Sequence, residues 1–175
     1  MSAPLQTLAK CRVPFLLTGT HAFLAHTNPE DTSFDEVECA IDAEQEAQIT
    51  EHFGSNEWSL VYRTPLFAKF RLLSTGTPTV KVLFLDPTTF EKLREGSLER
   101  IFSGFKMRVP SLLHVIAIKL QTIKNEPDRE VKNLPDILTF LRINKGRWKE
   151  DELDAVCKRF GPRGIYIRIA QRLLT

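Results

Sequence analysis

Residues 15–42 read FLLTGTHAFLAHTNPEDTSFDEVECAID, and the remainder of the chain is best interpreted outward from them. An apolar run over residues 13–17 predicts a short buried strand, and Thr18-Gly19-Thr20 predicts a turn. Residues 21–26 then start a helix. After a polar loop, residues 36–42 alternate as a half-buried strand does. Side chains on a strand point alternately to its two faces, so Val37, Cys39 and Ile41 share one face. Glu36, Glu38, Ala40 and Asp42 share the other. Two carboxylates on one face, beside a glycine turn that opens a helix, are the materials of a metal–nucleotide site. They equally suit the solvated face of an edge strand.

A chain of 175 residues suits one domain with a real core and a small helical extension. A hydrophobic content of 42% and a charged content of 26% are ordinary for a soluble globular protein. No apolar run approaches the ~18–20 residues that span a bilayer, and the first residues lack the basic-then-apolar pattern of a signal peptide. Cys11, Cys39 and Cys157 are odd in number and far apart, which predicts a reducing, cytoplasmic setting rather than a disulfide framework. The net charge of +2 conceals an asymmetry. Residues 1–60 hold 2 basic and 10 acidic side chains, whereas residues 61–175 hold 22 basic and 12 acidic. That distribution suits a metal-binding edge with a phosphate-binding surface, or RNA binding; two ordinary solvated faces would produce it as well.

Along the chain, residues 3–10 predict a short amphipathic helix and residues 44–53 a polar one. Three strands follow at 58–63, 67–73 and 79–85, rich in β-branched, aromatic and aliphatic residues and bounded by Pro, Gly, Ser and Thr. Asp86-Pro87-Thr88-Thr89 predicts a turn into a helix capped by Thr88 or Thr89. From Pro110 onward the pattern is helical. A largely buried helix runs to about Asn125, the charged segment 126–133 leads into another through Leu141, and two more occupy 151–160 and 164–174. The expectation is an α+β fold, with a core over 1–110 and a helical part over 111–175 packed as one compact unit.

At this level the chain resembles the minimal nucleotidyltransferase-fold proteins of bacteria, including toxin-type relatives, whose core resembles DNA polymerase beta. Phe15-Leu16-Leu17-Thr18-Gly19-Thr20-His21-Ala22 and His26 follow the family's first motif, with Thr20 where Gly or Ser is usual. Glu36-Val37-Glu38 falls near its Asp-x-Asp, preceded by Thr32-Ser33; Glu30 sits about where the family has an arginine. In a second register Asp35 is the first acid. Val80-Lys81-Val82-Leu83-Phe84-Leu85-Asp86 is similar to the third-carboxylate strand, with Lys81 in the place of the acid. Val109-Pro110-Ser111-Leu112-Leu113 with Ile116-Ala117-Ile118-Lys119-Leu120 resembles the segment ending in Ala-x-Lys-Leu. Arg129, Lys132 and Asp136 follow the Arg-x-x-Lys-Asp-x-x-Asp run, with Asn133 replacing an acid. The similarity spans about residues 13–141.

The resemblance implies a nucleotidyltransferase-like protein, a transferase that binds a nucleoside triphosphate with Mg²⁺ and passes a nucleotide to a protein or RNA hydroxyl. Glu36 and Glu38 would be its catalytic, metal-holding acids, because Mg²⁺ takes hard oxygen ligands. Gly19 and Thr20 would cradle phosphate at a helix N-terminus, and Lys119 and Lys132 would neutralise phosphate charge. The alternative is a non-catalytic member that binds RNA or a protein partner through its basic surface. Lys81, which puts a positive charge where a cation belongs, motivates it. Asp86 would supply the missing acid only in a shifted register, and is most simply part of a turn. His21 and His26 fit packing positions better than ligand positions, since no acid or cysteine spacing makes a zinc set with them.

Overall fold

A computed structural model describes residues 3–27 and 36–174. The chain divides into two compact units, with the boundary between Ser111 and Leu112.

The first unit contains α1 (Ala3–Ala9), β1 (Phe15–Leu17), α2 (Gly19–Thr27), β2 (Glu36–Asp42) and α3 (Glu46–Gly54). It continues with β3 (Trp58–Arg63), β4 (Phe67–Leu72), β5 (Thr79–Leu85), α4 (Pro87–Glu95), β6 (Leu98–Phe102) and β7 (Phe105–Val109). Among the described residues, five strands form one sheet in the order β1-β2-β5-β4-β3. The β2–β5 pair is parallel and the other pairs are antiparallel. The fold is thus α+β around a small mixed sheet.

The sheet's two faces differ as the sequence alternation dictates. On one, Val37, Cys39, Ile41, Val80, Val82, Ala68 and Phe70 are buried. Phe53 of α3 stacks on Phe70 at 4.6 Å between centroids and meets Trp58 edge-on at 5.5 Å. Trp58 Nε1 donates to Thr7 Oγ1 at 3.1 Å and His52 Nε2 donates to the Thr7 carbonyl at 2.8 Å, which pins α1 to the same layer. On the opposite face Leu16 packs with Leu85 and with Phe90 and Leu93 of α4. Beyond that cluster this face carries charge.

Several boundaries differ from the sequence expectation. The first strand begins at Phe15, after Pro14, which has no N–H to give a ladder. The expected helix over 44–53 is divided, because Asp42 Oδ1 accepts the Glu44 N–H at 2.9 Å and starts a 3₁₀ turn, Ala43–Gln45, ahead of α3. The cap of α4 is Asp86 rather than a threonine: its Oδ1 accepts the Thr89 N–H at 3.0 Å, with Pro87 at the first helical position. The β6–β7 hairpin has no counterpart among the expected elements. Ser103 (φ 48°) and Gly104 (φ 86°) supply the two positive φ values that a tight two-residue hairpin turn requires.

The second unit consists of α5 (Leu112–Asn125), α6 (Glu130–Ile143), α7 (Glu150–Phe160) and α8 (Ile165–Leu173). Ile116, Leu120, Ile123, Ile137, Leu141, Leu153, Cys157, Ile165 and Ile169 are among its buried apolar residues. α6 starts earlier than its apolar pattern suggests, and Glu130 in its first turn pairs with Arg168 of α8. At the other end Asn144 is buried and its Nδ2 donates to the Phe140 carbonyl at 2.9 Å, closing the helix. Gly161 is required by close approach: a Cβ there would lie 2.5 Å from Ile165 Cγ2 and 2.9 Å from the Cys157 carbonyl. No described helix is long and apolar enough to cross a membrane.

Candidate functional site

The charged face of the sheet follows from its register. Glu38 on β2 lies opposite Lys81 on β5, Lys81 opposite Lys69 on β4, and Lys69 opposite Tyr62 on β3. A second row runs Glu36, Thr79, Arg71, Ser59 across the same strands. Directly opposed residues project to the same side of a sheet, so both rows share one face.

Glu38 is fully engaged. Lys81 Nζ lies 3.0 Å from its Oε2, and the Thr18 hydroxyl donates to its Oε1 at 3.0 Å. The Thr18 N–H also donates to the Glu38 carbonyl at 2.8 Å, fastening the strand-to-helix turn to β2. Gly19 holds φ +57°, and a Cβ there would stand 3.2 Å from Glu38 Cβ. Glycine at this position therefore serves the close approach of the turn to the Glu38 side chain. Lys81 Nζ also lies 5.1 Å from the Phe67 ring centroid, a cation–π contact on the same face.

Glu36 is engaged as well. Lys69 Nζ pairs with its Oε2, and the Thr79 hydroxyl donates to the same oxygen at 3.2 Å. Partial burial pushes the Glu36 carboxyl up, but the hydrogen bond and charge of Lys69, aided by Thr79 and Lys81, outweigh it and hold the pKa below the usual value.

Of the residues singled out in the sequence, Glu36, Glu38 and Gly19 are brought together, and Thr20 occupies the exposed first turn of α2. Lys119 and Lys132 are in the second unit. Lys119 Nζ pairs with Asp136 Oδ2 at 2.7 Å across α5 and α6, and Lys132 is exposed on α6. Asp86 is used by the α4 cap. His21 is buried edge-on to Phe102 at 5.8 Å, and burial lowers its pKa to about 4. His26 Nε2 donates to the Pro110 carbonyl at 2.9 Å. Both histidines pack. Glu30, Thr32, Ser33 and Asp35 lie outside the described residues. The sequence reading passed over Thr18 and Lys69. Alternation over residues 67–72 sets Lys69 on one face with Phe67 and Arg71, but only the tertiary structure shows that its ammonium reaches across to Glu36.

A magnesium centre needs carboxylate oxygens turned toward a common point and free of other cations. Here each of the two acids already receives an ammonium group, and the strand neighbour that would add a third oxygen ligand is Lys81. Two like unit charges 4 Å apart repel by about 4 kcal/mol near a protein surface, and a divalent ion doubles that figure. Among the described residues no group of three or more His, Cys, Asp or Glu is arranged to hold a metal ion. The described residues do not fit a two-metal centre.

The fold is that of the nucleotidyltransferases. The chain superposes on the antibiotic-resistance factor ANT(2'')-Ia with a TM-score of 0.67, covering 96% of this chain and 91% of that one at 11% identity. With the lincosamide antibiotic adenylyltransferase LnuA, solved with lincomycin bound, the TM-score is 0.56 over 80% of this chain and 93% of that one, at 11% identity. An antigenic nucleotidyltransferase-like protein from Paracoccidioides brasiliensis gives 0.52 over 96% and 87%, at 13% identity. Identities this low establish a common fold and leave function to the site. No protein-family model matches the chain, and no curated protein matches it in sequence.

Proposed function

We propose that this chain is a catalytically inactive nucleotidyltransferase-fold module that binds RNA through its basic surface. The observation that carries the first half is the closure of Glu38 by Lys81 and Thr18. Nucleotidyl transfer from a magnesium-bound triphosphate needs Glu36 and Glu38 released from Lys69 and Lys81. It also needs an acid where Lys81 stands. The second half is supported by the excess of 22 basic over 12 acidic residues across positions 61–175. Arg71, Lys145, Arg147 and Lys149 are exposed, and none of the four makes an ion pair among the described residues.

The test of the inactive site is Mn²⁺ paramagnetic resonance, with Mn²⁺ standing in for Mg²⁺. The free-ion signal stays undiminished when the protein is added at high micromolar concentration. A signal that falls, and is recovered in Glu36→Ala plus Glu38→Ala, would contradict the reading.

A further inference from the structure

The two charged rows lie on a sheet face that α4 covers at only one end, where Leu16, Leu85, Phe90 and Leu93 meet. Over β3, β4 and β5 the side chains of this face keep part of their surface exposed. Tyr62 is 56% exposed there, Arg71 is exposed, and Ser59, Phe67, Lys69 and Lys81 are half-buried. Tyr62 rests on Phe67 at 5.5 Å between ring centroids, and Lys81 lies over Phe67 in turn. The exposed ring is therefore backed by a second ring and a cation.

The charges on this face are matched with one left over. Glu36 pairs with Lys69 and Glu38 with Lys81, so among the described residues the Arg71 guanidinium is the cation of these two rows without a carboxylate. Tyr62 lies opposite Lys69, and Arg71 is two residues further along β4, so Tyr62 and Arg71 are diagonal neighbours across the β3–β4 pair. In a regular pair such neighbours stand about 7–8 Å apart, the scale of a base and its own phosphate, and the extra residue on β3 falls between their two rows. A flat, backed aromatic ring next to an unmatched guanidinium is the chemistry that takes one unit of a single-stranded nucleic acid.

Leu60, Val61 and Leu66 are also exposed at this edge, which would suit a strand from a protein partner. The β3–β4 register, however, shifts between Leu60 and Tyr62, leaving Val61 as an extra residue. A bulge of this kind interrupts the regular edge that an added strand would pair with.

We infer that this face of β3–β5 binds single-stranded RNA, with a base stacked on Tyr62 and its phosphate held by Arg71. This rests on the RNA-binding reading above and names the surface that carries it.

The experiment is fluorescence anisotropy of a labelled twelve-nucleotide oligouridine with the full chain, titrated from about 50 to 200 mM salt. Expected is binding at low salt that weakens roughly fivefold or more in Tyr62→Ala and is retained in Tyr62→Phe, as stacking requires. Arg71→Ala should also weaken it and reduce the slope of log K against log salt by about 0.7, the share of one single-strand phosphate. Binding unchanged in Tyr62→Ala and Arg71→Ala but lost in Lys145→Ala plus Arg147→Ala overturns the surface and leaves the RNA-binding reading standing. No binding at low salt overturns both. Equal affinity for a duplex of the same length, or for an extended peptide competing at the same site, overturns the stacking assignment.

Discussion

Glu38 and Lys81 are register partners on adjacent parallel strands, and their side chains close to 3.0 Å on the charged face of the sheet. The lysine thus sits where an ion would have to stand to be shared between the two strands. It neutralises the carboxylate that anchors the Thr18–Gly19 turn.

Removing that lysine leaves a partly buried carboxylate facing its neighbours without a counter-charge. Lys81→Met is expected to destabilise the fold by about 1 kcal/mol, with the pair's partial exposure keeping the figure low. The double variant Lys81→Met, Glu38→Gln should recover part of the loss. Urea unfolding of the four proteins in a double-mutant cycle measures the coupling.

Reversing the charge has a different consequence. Lys81→Asp would set a third acid opposite Glu38 and leave Glu36 two residues away on the same face. This variant is expected to bind Mn²⁺ more tightly than the parent, read by loss of the free-ion resonance signal. Unchanged behaviour would show that Lys69 alone suffices to keep cations out.

The Gly19 turn admits no side chain without cost. Its φ of +57° is unfavourable for any L-residue, and a new Cβ would press on Glu38 Cβ at 3.2 Å. Gly19→Ala is expected to cost about 1–2 kcal/mol, read from the urea midpoint.

His21 makes stability depend on pH. Burial lowers its pKa from 6.5 to about 4, so the folded chain refuses a proton that the unfolded chain accepts over that interval. Stability should fall as pH drops from about 6.5 towards 4, and His114, also lowered by burial, adds to the slope. Glu36, whose pKa is lowered in the fold, contributes only below its ordinary value of 4.5. His21→Phe should flatten the upper part of the profile, measured by urea midpoints between pH 7 and pH 4.5.

Much of this was legible in the chain. The alternation of residues 36–42 placed Glu36 and Glu38 on one face and Val37, Cys39 and Ile41 on the other, and β2 occupies that range. Lys81 could be read as a cation in an acid's position because it lies on a strand of similar pattern. Its pairing with Glu38 could not, since register is fixed by tertiary contacts rather than by local alternation. For the same reason nothing in the sequence signalled that Lys69 pairs with Glu36 or that Tyr62 lies opposite Lys69. The hairpin over 98–109 is short and half-polar, with a burial pattern of its own that follows from packing Phe102, Met107 and Val109, so it lacked a clean period.

The most direct test of the central claim is calorimetric titration of the four ribonucleoside triphosphates, each with and without Mg²⁺. The closed Glu38–Lys81 pair predicts no magnesium-dependent heat with any of them. Micromolar binding of one nucleotide that requires Mg²⁺ and disappears in Glu36→Ala plus Glu38→Ala would contradict it, and would mean that both lysines yield to the metal.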